Sequence, residues 1–363
     1  MGSPAVRINT SQAVNKYILT KIETDRLSSI SIEILPVDWP VSGAHQPFEF
    51  TENHLGIPKG VHHKTYLQAI HRFEDFFSRG FNRLSKEEKA ESIEVSCIVL
   101  LANPAHSTCL NRRRDLVEQG EISEEDELVL IASIQLLPES AKSSILWSYR
   151  RWLLRRIYST SSSRKETSLV DDLENVSLPL EAISNELAIS STASEIYPRN
   201  YHAWLHRYKC LHSLASSAQH SDPSSNSFIL LSQVLRAEEF AIKKWVEMNI
   251  SDYSAMQYLC HVYTVMTKMK VQHIQIHADS DARGTGDDRL DKVSFSPLDH
   301  AMELVERYPT HEASWYYLRA SYAIQNVPAD LKIPDHRQGA YGKNFERWRA
   351  GFDKLRHAID EAI

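Results

Sequence analysis

The chain has 363 residues, is 42% hydrophobic and carries a net charge of −6: enough apolar material for a substantial core, and a balance too acidic for a general nucleic-acid binder. Only 11 residues are glycine, well under the usual share of about 7%, so the Gly-turn pattern of an all-β protein is missing and an all-α fold is expected. Cys97, Cys109, Cys210 and Cys260 form no CxxC pair, no apolar run is long enough to span a membrane, and no signal-peptide or lipidation pattern marks either end, so a soluble, cytoplasmic protein is expected.

Residues 1–84 read as a lead-in. It holds a helix around Asn15 to Arg26, short alternating stretches at Ile30 to Ile34 and Phe48 to Phe50, and an amphipathic helix from Tyr66 to Phe77. In the last, Tyr66, Ile70, Phe73 and Phe77 fall at i, i+4, i+7 and i+11, one helical stripe expected to pack on the first repeat of the helical array that begins at Ser85. Ser85 with Glu88 is a capping box that opens a helix running to Asn103-Pro104. Proline ends it because it lacks the N–H the next turn needs and disfavours helix in the residue before it. A second helix opens near Ser123 and closes at Leu137-Pro138, and a third runs from about Leu180 to Tyr197-Pro198. A fourth covers Phe228 to Met248, with Ile250 in place of proline, and a fifth runs from about Leu298 to Tyr308-Pro309.

After each of these helices comes a second one, opened by an anchor: Leu110, Trp147, Trp204, Met256 and Trp315. Four of the anchors come after a proline by 6, 9, 6 and 6 residues, a regularity that marks internal repeats of helical hairpins. The repeats cover residues 85–320, and residues 321–363 form a C-terminal helical segment. The polar tracts 159–168, 213–227 and 278–296 are expected to be flexible insertions between repeats.

Trp at i and Arg at i+3 share a helix face, so the indole can fill the joint between hairpins while the guanidinium satisfies nearby carbonyls or carboxylates. Windows 103–114, 142–156 and 199–212 contain basic residues and no acidic ones, which reads either as a positive face for a specific anion or as a solvated structural face. Tyr201 and His202 fall in the first turn of a helix, where free N–H groups and the macrodipole favour anions. His202, His206 and Lys209 continue at i, i+4 and i+7, a set that could hold a phosphate. His202 and His206 also have zinc-ligand spacing, but no Glu follows His202 and no third ligand is evident, so no metal site is expected. Arg112-Arg113-Arg114 and Arg155-Arg156 would suit an RNA-binding repeat, a reading the acidic remainder disfavours. With no P-loop, dinucleotide fingerprint or nucleophile elbow, any chemistry would be shared with another chain.

The phrase Asn200-Tyr201-His202-Ala203-Trp204-Leu205-His206-Arg207 resembles the repeat of protein prenyltransferase α subunits, in five copies over about residues 85–320. A divergent branch of that family is the better likeness. It rests on Phe48-Glu49-Phe50-Thr51-Glu52-Asn53-His54-Leu55-Gly56, on Trp147-Ser148-Tyr149-Arg150-Arg151-Trp152 and on Ser251-Asp252-Tyr253-Ser254. The resemblance implies a right-handed superhelical crescent of about five hairpins, TPR-like, wrapped around a β subunit that carries the catalytic zinc and most of the lipid pocket. This chain itself would hold no cofactor and would not be active alone.

For that branch the implied partner is the β subunit of Rab geranylgeranyltransferase. The pair would be a third type of protein geranylgeranyltransferase, using geranylgeranyl diphosphate as co-substrate and proteins with a C-terminal Cys as acceptors. Aligned on the anchor Trp, the family's diphosphate-binding Lys falls on Lys142 and its adjacent Tyr and His on Tyr201 and His202, while its repeat-two Tyr falls on Ser144, a departure. The implied roles are charge neutralisation by Lys142 and hydrogen bonds from Tyr201 and His202 to the leaving diphosphate. Leu110, Met256, Leu259 and Leu318 stand where the repeat has Trp or Arg, and this wear motivates the alternative of a non-catalytic helical-repeat adaptor.

Overall fold

A computed structural model describes residues 31–37, 39, 48–51, 54–159, 173, 176–218, 225–280, 296–325 and 339–360. The helix expected at Asn15 to Arg26 lies outside them, as do most of the three expected insertions. The chain divides into two compact units, Met1–Ser213 and Leu214–Ile363.

The first unit opens with a small sheet made of β1 (Ser31–Leu35), β2 (Glu49–Thr51) and β3 (His54–Pro58) in the order β1-β3-β2. β1 runs parallel to β3 and β2 antiparallel to it. The two alternating stretches read from the sequence are β1 and β2, and β3 is an addition to them. Gly56 lets β3 close on β1, since a Cβ there would meet Leu35 Cδ1 at 2.6 Å. Helix α1 (Lys59–Arg79) comes next and packs on α2 (Lys86–Ala102). Its buried stripe is Ala69, Phe73 and Phe76, with Tyr66 and Ile70 partly covered, while Phe77 is exposed. The buried face is therefore rotated from the expected stripe: at about 100° per residue Phe77 lies near the line through Tyr66, Ile70 and Phe73, whereas Phe76 lies about 90° to one side of it, with Ala69.

The capping box at Ser85 is formed in both directions: Glu88 N donates to Ser85 Oγ at 3.2 Å and Ser85 N donates to Glu88 Oε2 at 2.9 Å. Three hairpins come after it, α2 with α3 (Ser107–Glu118), α4 (Glu124–Gln135) with α5 (Ser144–Tyr158), and α6 (Leu180–Ile196) with α7 (Tyr201–Ala218). The first helices stop within three residues of Pro104, Pro138 and Pro198, as the proline rule requires. Residues 213–218, assigned from sequence to an insertion, instead extend α7.

In the second unit, α8 (Asn226–Met248) pairs with α9 (Tyr253–Ser280), and α10 (Pro297–Arg307) with α11 (Glu312–Gln325). The expected repeat boundary at residue 320 falls inside α11. Helix α12 (Ala340–Asp360) packs on α11 through Phe345, whose ring lies 5.9 Å from Trp315 and 5.7 Å from Trp348. Twelve helices against one three-stranded sheet among the described residues make the fold an all-α helical repeat.

The arginines of the repeated phrase face inward. Arg113 Nε donates to Glu127 Oε1 at 2.9 Å and its Nη1 to Ile93 O at 3.1 Å. Arg150 donates from Nε and Nη2 to the two oxygens of Glu186, each at 2.6 Å, and from Nη1 to Leu128 O at 3.1 Å. Arg207 Nη1 reaches Leu187 O at 2.7 Å and Ser191 Oγ at 2.6 Å. Each guanidinium thus ties its helix to a carbonyl of its own hairpin's first helix, and Arg113 and Arg150 also grip a Glu on the next hairpin. The basic windows are therefore neither wholly a positive face nor wholly a solvated one: Arg113, Arg150, Arg151 and Arg207 are all buried. Composition reports that charges are present but not which way they point.

Candidate functional site

The site is assembled where α5 and α7 begin. The chain enters α7 through Arg199, whose φ of 59° is left-handed, a conformation that a non-glycine residue holds only when its surroundings fix it. What fixes it is Asn200, a buried N-cap whose Oδ1 accepts from Ala203 N at 3.2 Å. Its Nδ2 donates to Ala193 O at 3.2 Å and to Ala141 O at 2.7 Å. The Ala141 carbonyl also accepts from Trp147 Nε1 at 2.8 Å. Trp315 makes the same bond to Pro309 O, six residues back. The interval of 9 at Pro138 is therefore the usual interval of 6 counted from Ala141, with one extra turn of chain after the proline.

This shared carbonyl brings the predicted residues to adjacent pieces of backbone, since Lys142 follows Ala141 and Tyr201 follows Asn200. Lys142 is exposed, and its Nζ donates to Tyr197 Oη at 2.9 Å while lying 4.5 Å from the centre of that ring. Tyr201 is 54% exposed and its ring meets His202 edge-on at 5.3 Å. Partial burial, and then the charge of Arg151, push the His202 imidazole below its ordinary pKa of 6.5. At neutral pH it is an uncharged ring offering one N–H donor. Lys142 thus stands on a segment next to α7, and Tyr201 and His202 at the positive end of that helix.

His206 does not join them. It is fully buried, its ring 4.9 Å from Trp147, and its Nε2 donates to Glu186 Oε2 at 2.7 Å. The phosphate set His202, His206 and Lys209 is thus broken in the middle, because position i+4 on α7 faces α6 and the first turn faces solvent. Among the described residues no group of three His, Cys, Asp or Glu side chains is placed to hold a metal ion, and no helix is long and apolar enough to cross a membrane. Ser144 opens α5 and is exposed. Two residues of the site were not singled out from sequence. Asn200 has a counterpart in Asp252, whose Oδ1 accepts from Ala255 N at 3.1 Å, so a recurring N-cap was there to be found. Tyr197 precedes the proline as Tyr308 does, but nothing local announces its contact with Lys142 from another hairpin.

Residues 183–214, from α6 into α7, match the family model described as Protein prenyltransferase alpha subunit repeat. Over 288 residues, 75% of this chain and 63% of the relative, the chain is 26% identical to "Protein prenyltransferase alpha subunit repeat-containing protein 1" of Danio rerio. The Homo sapiens protein of the same name is 26% identical, over 77% of this chain and 69% of its own length. A Xenopus laevis relative, "Protein prenyltransferase alpha subunit repeat-containing protein 1-A", is 24% identical over 77% of this chain and 64% of its own. The match to the Danio rerio relative thus spans less than two thirds of that protein's length. The matched stretch contains the phrase around Trp204 and lies within an all-α helical repeat.

Proposed function

We propose that this chain is the α subunit of a heterodimeric protein prenyltransferase and lends Lys142, Tyr201 and His202 to an isoprenoid diphosphate bound at the interface with a β subunit. The observation that carries the reading is Lys142 itself: an exposed ammonium held by a phenol rather than by a carboxylate, one residue from a carbonyl tied to the cap of α7. Its charge is positioned, and among the described residues no carboxylate pairs with it. The repeat matched at residues 183–214 and the names of the relatives support the reaction class.

As the carbon–oxygen bond to the diphosphate breaks, negative charge gathers on the leaving oxygens. Lys142 offsets that charge, and the Tyr201 hydroxyl and the neutral His202 N–H donate to it, interactions that strengthen toward the transition state. The carbon–sulfur bond forms to a C-terminal Cys of the acceptor protein. The zinc, when bound, activates that sulfur as a thiolate, and it belongs in this reading to the β subunit. The branch likeness extends the proposal to geranylgeranyl diphosphate as donor, the β subunit of Rab geranylgeranyltransferase as partner and the cytoplasm as the place of action.

Co-purification of the tagged chain with mass spectrometry should recover a prenyltransferase β subunit in stoichiometric amount. The reconstituted pair should transfer geranylgeranyl to a peptide ending in Cys. Lys142→Ala and His202→Ala should each lower kcat by about 10²-fold, the usual cost of removing one donor to a developing anion. Normal turnover in both variants would refute the diphosphate role. Ser144, which brings no ring hydroxyl to the start of α5, favours the second reading, a non-catalytic adaptor, and that reading predicts no β subunit among the partners.

A further inference from the structure

Arg112, Arg113 and Arg114 are consecutive on α3, so about 100° of rotation separates each from the next, and they part company. Arg113 turns into the core onto Glu127, and Arg114 lies over the Trp152 ring at 4.6 Å. Arg112 stacks its guanidinium 4.8 Å above Phe81 and lines an open cavity of about 470 Å³. Arg79, Arg83, Ser78, Asn82 and Gln119 line it with Arg112, and no carboxylate does. Gly80 opens this wall of the cavity: its φ of 77° turns the chain sharply between α1 and the short turn Phe81–Arg83.

The three guanidiniums are unequally matched. Arg79 is paired with Glu88 at 2.7 Å and reaches Asp75 at 3.5 Å. Among the described residues Arg112, mostly covered, pairs only with Asp115, at 3.9 Å, and Arg83 makes no ion pair. The Phe81 ring offers no apolar floor, because Arg112 and Lys89 each lie 4.8 Å from its centre. What remains is Asn82, Gln119 and the accepting oxygen of Ser78, whose hydroxyl donates to Asp75 O at 2.8 Å, around positive charge that is only partly matched, in a volume suited to a small molecule. Guanidinium forks match the oxygens of a phosphate better than those of any neutral group.

We propose that this cavity binds a small, hydrophilic phosphomonoester, its phosphate on Arg83 and Arg112 and its hydroxyls on Ser78, Asn82 and Gln119. The site is separate from Lys142, Tyr201 and His202 and stands whether or not the chain takes part in prenyl transfer.

The test is calorimetric titration of the full chain with glycerol 3-phosphate, inorganic phosphate and glycerol at fixed ionic strength. Both phosphates should bind, glycerol 3-phosphate the tighter, and glycerol should not. Arg83→Gln and Arg112→Gln should each weaken binding about tenfold, the scale of one charge-assisted hydrogen bond. Because Arg112 also packs on Phe81, its variant is first checked for an unchanged melting temperature; Arg83, on the surface, decides the matter if that check fails. The proposal is overturned if neither phosphate binds, if only inorganic phosphate binds, or if Arg83→Gln binds like the parent. It is also overturned if the chain binds phosphatidylcholine vesicles containing phosphatidic acid but not glycerol 3-phosphate, which would make the ligand a lipid headgroup.

Discussion

Glu186 decides the chemistry of the core beneath the site. Burial alone would raise its carboxyl, but the charge of Arg150 and the hydrogen bond from His206 outweigh that and hold it at about 2. His206 is pushed below 6.5 by burial, against the pull of Glu186. Its Nδ1 is buried with no hydrogen-bond partner, so a second proton there would have nothing to bind, and the neutral ring is the stable form. Both shifts act in the same direction. A His whose folded pKa is lowered contributes stability that is lost as pH falls from about 6.5, and a Glu lowered to about 2 loses its contribution from about 4.3 downward, so the native state weakens on the acid side. His300, lowered to about 4 mainly by burial and then by Lys243 and Arg307, adds to the first limb. The urea midpoint should be flat from pH 8 to 7 and fall below about 6.5. His206→Gln keeps a donor for Glu186 without the titration, and should reduce that slope by up to about 1.4 kcal/mol per pH unit. Equal slopes in parent and variant between pH 6.5 and 5 would show that another histidine governs the limb.

At the scale of elements, Asn200 binds the start of α7 to the ends of two other segments, and its loss is more than the loss of a cap. Asn200→Ala leaves Ala203 N without a partner in a buried place and takes one of two bonds from the Ala193 and Ala141 carbonyls, which keep Tyr197 N and Trp147 Nε1, and should cost about 1–2 kcal/mol in denaturant unfolding. Asn200→Ser restores an N-cap acceptor and should recover about 1 kcal/mol. If it recovers everything, the bond to Ala141 contributes nothing. This also separates what was legible in the sequence from what was not. The ends of the first helices were, because Pro104, Pro138, Pro198 and Ser85 act on their own neighbours. So was the placement of Tyr201 and His202 on one exposed first turn. β3 was not, because Gly56 and Pro58 lower its local strand propensity and only pairing with β1 and β2 makes it a strand. Nor was the inward turn of Arg113, Arg150 and Arg207, or the contact of Tyr197 with Lys142, since each depends on a partner in a different part of the chain.

For the molecule as a whole, stacked hairpins share stability through their nearest neighbours, and within Met1–Ser213 the buried Arg–Glu grips are such links. Arg113 joins the first hairpin to the second through Glu127, and Arg150 joins the second to the third through Glu186. Arg150→Met removes three hydrogen bonds and strands a buried carboxylate beside His206, a defect that costs about 3–5 kcal/mol when one partner of a buried pair is lost. The damage should be regional. Amide exchange followed by mass spectrometry should quicken by at least about a hundredfold in α6 and the first turns of α7, with little change in α2 and α3, which Arg113 still secures. Pairing Arg150→Met with Glu186→Leu removes the stranded charge and should restore most of the protection. Uniform quickening from α2 to α7 would mean that the unit opens as a single block and that the grips are not separable links. A regional effect has a functional consequence, because the loosened segment carries Asn200, Tyr201 and His202. The same variant should then lose turnover, because the loosened segment also carries Tyr197, whose hydroxyl holds Lys142.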